Sequence, residues 1–166
     1  MSGNRRPSAD VLTYLITPGE AESSNFSAKK AEILETIRIA VDCTIKLFQI
    51  REKFLSAKLL FELTAEAAAI TRGSETRLLV NDRADVALAA NADGVHLPAN
   101  SIPADVIRSS FPDLIIGVST HSISEAESAA ANGADFVTFG PVFETPDKDR
   151  PTGLGELIQV RERLGN

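Results

Sequence analysis

Short apolar runs rich in β-formers alternate along this chain with longer stretches whose apolar residues recur at helical spacing. Residues 11–17 read as a strand, stopped by Pro18-Gly19. A helix follows, with Asn25 or Ser27 as its cap, Ile33, Leu34, Ile37 and Val41 on one face, and Lys29, Lys30, Glu32 and Glu35 on the other. Residues 44–50 give a second strand. Residues 56–72 give a second helix with Leu59, Leu60, Leu63 and Ala67 as its buried stripe and Gly73 as its stop. The unit then repeats faster. Strands at 77–81, 93–97, 114–118 and 135–139 are each followed by a helix, at 84–91, 103–110, 124–132 and 154–164. Strands alternating with helices, with no hairpin signal, predict parallel pairing and right-handed crossovers. Two architectures compete, a doubly wound sheet and a (β/α)8 barrel.

Composition narrows the function more than the fold. With 166 residues, 43% hydrophobic and 24% charged, the chain suits one globular domain and excludes wholesale disorder. No apolar run approaches the roughly 20 residues of a membrane helix, and residues 1–10 form a polar tail without a signal-peptide core. A net charge of −6 argues against a general nucleic-acid binder but not against a local cationic pocket. The single Cys43 excludes an internal disulfide and a multi-cysteine zinc site, which suits a cytoplasmic protein. The first strand-to-helix turn, Thr17-Pro18-Gly19-Glu20, lacks a glycine-rich dinucleotide fingerprint.

In a parallel α/β protein the chemistry belongs at the C-terminal ends of the strands, where the unusual polar residues of this chain fall. Gln49, Arg51 and Lys53 alternate past the second strand; two cations and an amide suit a phosphate, or equally a solvated strand end with salt bridges. Asn81-Asp82-Arg83 follows the third strand, where Asp82 is either an Mg²⁺ ligand or a helix cap. His96 lies within the fourth strand and reads as a satisfied interior group, with Ser101 as a cap ahead of Pro103. Ser119 and His121 alternate at the end of the fifth strand. His121 is the natural proton-transfer candidate, unless it is merely exposed beside a helix capped by Ser122 or Ser124. The loop after the sixth strand carries Thr145 and Lys148 as ligand candidates.

The order of these segments is more specific than any one of them. Gln-x-Arg-x-Lys, Asn-Asp-Arg, Asp-Gly-Val-His-Leu, Gly-Val-Ser-Thr-His and Phe-Gly-Pro-Val-Phe-x-Thr-Pro-x-Lys, in that sequence, resemble the thiamine phosphate synthase / TenI (thiazole tautomerase) family. The resemblance covers about residues 11–160. It implies an α/β fold of the (β/α)8 TIM-barrel type over residues 11–166, with strands seven and eight missing after the sixth βα unit. In the synthase, a hydroxymethylpyrimidine pyrophosphate is joined to a thiazole phosphate and pyrophosphate leaves with Mg²⁺ assistance. The resemblance then gives Gln49, Arg51, Lys53, Asn81, Ser119 and Lys148 to the pyrimidine pyrophosphate and Asp82 to Mg²⁺.

Departures from the synthase pattern tilt the expectation toward the tautomerase branch. Pro98-Ala99-Asn100-Ser101 stands where the synthase has Gly-Gln and an acidic pair, and Thr145-Pro146-Asp147 where it has Thr-Pro-Thr. The expected activity is therefore a metal-independent thiazole tautomerase acting on a thiazole carboxylate phosphate, with His121 as general acid/base and no cofactor. The alternatives are the Mg²⁺-dependent synthase and a catalytically silent ligand-binding or regulatory relative. Expected partners are a small phosphorylated thiazole or pyrimidine and a second copy of the chain completing the open barrel, with neither nucleic acid nor membrane.

Overall fold

The computed structural model describes residues 12–145 and 151–165, so the expected polar tail at 1–10 lies outside the described residues. Strands and helices alternate without exception among them, and the chain divides into two compact units that meet in sequence at His96 and Leu97.

The first unit contains β1 (Tyr14–Ile16), α1 (Phe26–Asp42), β2 (Leu47–Ile50), α2 (Ala57–Thr71), β3 (Arg77–Asn81), α3 (Ala84–Ala89) and β4 (Gly94–Leu97, whose last residue opens the second unit). Its strands pair in parallel in chain order, with Tyr14 level with Leu47, Gln49 with Leu79, and Asn81 with His96. Pleat alternation gives this sheet two chemically different faces. Phe48, Ile50, Leu78, Val80 and Val95 are buried on one, where α1 lays Ile33, Leu34, Ile37 and Ala40, and α2 lays Leu60, Leu63, Ala67 and Ala68. The other face carries Tyr14, Leu47, Gln49, Leu79, Asn81 and His96. The second unit contains α4 (Ala104–Ser110), β5 (Ile115–Thr120), α5 (Ile123–Ala131), β6 (Phe136–Phe139) and α6 (Gly153–Leu164), with β5 and β6 parallel and α5 against both.

One turn recurs three times. After α1, α3 and α5 a residue of positive φ follows the helix: Thr44 (54°), Asn91 (57°) and Gly133 (89°). In each case the next N–H returns to a carbonyl one turn back, Ile45 to Ala40 at 2.9 Å, Ala92 to Ala87 at 2.9 Å and Ala134 to Ala129 at 3.0 Å. This is the Schellman arrangement, which satisfies terminal helix carbonyls and turns the chain into the next strand. It shortens the expected second strand, because Thr44 and Ile45 belong to the turn, and it ends α3 before Asn91. The expected Val41 position also shifts: Ala40 is the buried residue of that turn, since the stripe runs 33, 34, 37, 40.

An Asp follows two of these turns and ties adjacent strands. Asp93 Oδ2 accepts from Leu78 N at 2.8 Å and its Oδ1 meets the exposed Arg77 at 3.3 Å. Asp135 Oδ2 accepts from Ile116 N at 2.8 Å and from Arg108 Nη2 at 2.6 Å. Arg108 also donates to the carbonyls of Gly133, Pro112 and Leu114 at 3.0, 3.0 and 2.8 Å. Asp135→Ala is therefore expected to cost about 2–3 kcal/mol and Asp93→Ala about 1–2 kcal/mol, read from urea unfolding at pH 7. Equal losses would deny the Arg108 hub its extra contribution.

Candidate functional site

In the first unit the strand ends hold a neutral hydrogen-bonded layer with cations outside it. Gln49 is 1% exposed, and its Nε2 donates to Asn81 Oδ1 at 3.1 Å. The Tyr14 hydroxyl donates to Gln49 Oε1 at 3.1 Å and lies 3.0 Å from His96 Nδ1. With its one proton given to the amide oxygen, Tyr14 offers a lone pair to His96, so the imidazole carries its proton on Nδ1. Burial pushes the His96 pKa from 6.5 down to about 4 and raises that of the Tyr14 phenol, so both are neutral at pH 7. Tyr14 is the member of this layer that sequence reasoning missed. A phenol within an otherwise apolar strand was the available signal, but its partners lie 35 and 82 residues away.

The cations are presented by loops. β2 ends at Ile50, so pleat alternation reaches Gln49 but not Arg51 or Lys53. Arg51 is half-buried and Lys53 is exposed in a turn. Arg51 N donates to Thr17 Oγ1 at 2.9 Å, and Thr17 N donates to Gln49 O at 3.0 Å, so the loop after β1 backs the loop after β2. Asp82 is exposed, has φ 59° and sends its N–H to His96 O at 2.9 Å. It does not cap α3; Arg83 occupies the cap position and forms a bidentate pair with Asp85 at 2.8 and 2.6 Å. Nor does Ser101 cap α4, whose cap position is Pro103.

In the second unit, Ser119 lies level with Thr138, whose Oγ1 is 3.5 Å from Ser119 Oγ. His121 follows β5 and is exposed; its Nδ1 donates to the Gly140 carbonyl, leaving Nε2 as the basic nitrogen. Ser122 caps α5 through Glu125 N at 3.2 Å, and Glu125 Oε2 accepts from His121 N at 2.7 Å. Thr145 is exposed and donates to Phe143 O at 3.1 Å. Lys148 lies outside the described residues. Among the described residues no group of three His, Cys, Asp or Glu is gathered as a metal site, and no helix is long and apolar enough to cross a membrane.

The thiamine monophosphate synthase family profile matches residues 13–165. The chain belongs to this family. A thiamine-phosphate synthase of Roseiflexus castenholzii is 35% identical over 93% of this chain and 67% of its own length. A Geobacter sulfurreducens protein provisionally given the same name is 41% identical over 93% of this chain and 72% of its own. Among solved structures, the thiamine phosphate pyrophosphorylase of Pyrococcus furiosus superposes with a TM-score of 0.77 at 32% identity, over 91% of this chain and 69% of that one. The fold is accordingly the α/β alternation of the TIM-barrel type. The two sequence relatives carry the synthase name, which favours the synthase over the tautomerase that the departures at residues 98–101 and 145–147 led us to expect.

His96 makes stability depend on pH. The unfolded ring binds a proton near pH 6.5 and the folded ring only near 4, so acid favours unfolding and stability falls as pH drops through this window. Between pH 7.5 and 4.5 the native protein should lose roughly 2–3 kcal/mol more than His96→Gln in urea unfolding. Parallel profiles would show that the folded ring accepts its proton as readily as the unfolded one.

Proposed function

We propose that this chain is a thiamine phosphate synthase, joining a hydroxymethylpyrimidine pyrophosphate to a thiazole phosphate. The thiazole nitrogen forms a bond to the pyrimidine methylene carbon as that carbon's bond to pyrophosphate oxygen breaks, and the electron pair leaves with pyrophosphate. The observation that carries the reading is the family match over residues 13–165 together with the strand-end layer of Gln49 and Asn81 beside Arg51.

In this reading the residues divide the work by charge. Arg51, backed by Thr17, offers a planar fork to the departing pyrophosphate, and Lys53 adds a mobile point charge. With Gln49 occupying its carbonyl oxygen, Asn81 has its amide nitrogen to offer the substrate. Ser119, Thr145 and Lys148 remain ligand candidates on the residue pattern. Asp82 is a suitable carboxylate for Mg²⁺, which ordinarily takes one or two carboxylates and completes its shell with phosphate oxygens and water. Bound there, the ion would neutralise charge on the leaving group.

A tautomerase remains a second reading because His121 Nδ1 is held by the Gly140 carbonyl, which orients Nε2 as a base. The two readings differ in substrate, in Mg²⁺ dependence and in the variant that abolishes activity. The synthase releases pyrophosphate from the two substrates only with Mg²⁺, and Arg51→Ala lowers that rate on the order of 100-fold, with a smaller loss for Lys53→Ala. The tautomerase works in chelator and fails in His121→Ala. Absence of pyrophosphate release by the native protein with both substrates and Mg²⁺ would sink the synthase.

A further inference from the structure

The motif Gln-x-Arg-x-Lys leaves the residue between its two cations unassigned, and that residue is Glu52. It is 4% exposed although it sits in a loop between Arg51 and Lys53. Its two oxygens are spent on backbone: Oε2 accepts from Ala21 N at 2.7 Å and Oε1 from Gly19 N at 3.3 Å. The loop so gripped is the one that holds Arg51. Thr17 is 6% exposed, and its Oγ1 accepts from Arg51 N at 2.9 Å. Gly19 lies over the Arg51 carbonyl with φ +86°, so close that a Cβ there would stand 3.1 Å from the Arg51 oxygen. Arg51 is thus enclosed on its N–H side by Thr17 and on its C=O side by Gly19, and Glu52 fastens the loop that carries Gly19.

We propose that Glu52 is a positioning residue, which clamps the loop after β1 so that Arg51 is held ready for a phosphate-bearing ligand. This rests on the reading of Arg51 as an anion ligand given above. The sign of the effect separates positioning from simple electrostatics. Removing a negative charge from between two cations should tighten anion binding if field alone matters. Releasing the clamp should weaken it, because Arg51 must then be ordered by the ligand at the ligand's expense.

Inorganic pyrophosphate titrated calorimetrically into the whole protein is the probe. Glu52→Gln keeps the shape but turns one acceptor into a donor facing an N–H, and is expected to raise the Kd about tenfold. Gly19→Ala leaves every charge in place and pushes on the Arg51 carbonyl; it should weaken binding comparably, and the double variant should be little worse than either single one. Amide hydrogen exchange gives a readout that needs no ligand. In Glu52→Gln the Gly19 and Ala21 amides should lose protection while those of β2 and β3 keep theirs. Tighter or unchanged pyrophosphate binding in Glu52→Gln, or retained protection at Ala21, overturns the proposal. If Arg51→Ala binds pyrophosphate as the native protein does, the anion role of Arg51 falls and the positioning role with it. If only Arg51→Ala loses binding, the positioning role alone is lost.

Discussion

The contact between Tyr14 and His96 constrains how the strands of the first unit curve. Their strands, β1 and β4, are separated by two others, which in a flat sheet places them roughly 14 Å apart. Yet their ring centroids are 5.7 Å apart and the hydroxyl is bonded to the imidazole. Such a chord closes only if the four strands curl toward the face that bears these side chains. A polar layer on that face is tolerable because it is internally matched: amide to amide, phenol to amide, imidazole to phenol. Each of these groups left without its partner would be a buried polar atom without a bond, at a cost of order 1–3 kcal/mol. Register makes the match possible, since Asn81 stands level with His96 while Gly94, one pleat below, adds no side chain to compete for the space.

Charge is distributed to suit that layer. The groups most deeply buried at the strand ends, Gln49 and His96, are neutral, while Arg51 and Lys53 stand beyond the end of β2 where solvent still reaches them. A cation placed inside the layer would carry a desolvation penalty that its neighbours could not offset. At the rim it keeps its field for an incoming anion. This is how a chain of net charge −6 can support a local cationic site. The buried charge in these loops is Glu52, and it is tolerated because backbone N–H groups meet both of its oxygens.

Much of this organisation was legible in the sequence, for identifiable reasons. The six strands and six helices among the described residues follow from period-two and period-3.6 apolar patterns. Gly73 marked a helix end because glycine favours the positive φ it adopts. Thr44 and Asn91 adopt the same conformation without the glycine signal, and a β-branched threonine there reads as strand. Asn25 illustrates a different failure. It occupies the cap position of α1, but its side chain accepts from Glu22 N at 2.8 Å and serves the preceding loop. At the site, Gln49, Asn81 and His96 announced themselves by position, but their pairing through Tyr14 depends on curvature, which no local pattern encodes.

Loop geometry then determines what the strand-end residues can do. Asp82 would be an ordinary helix cap if it occupied the residue before α3, with its carboxylate committed to the first turn. A positive φ, which aspartate accepts more readily than most residues, moves the chain past that position and hands the cap site to Arg83. The Asp82 N–H is meanwhile fixed to the His96 carbonyl on the neighbouring strand. On the other side of the same sheet the loop after β1 is fixed to Arg51 and Glu52. Arg51 and Asp82 are therefore each held through their own backbone N–H, to Thr17 Oγ1 and to the His96 carbonyl. The bonds that shape these strand ends are thus internal to the protein, which is the arrangement that preorganises side chains.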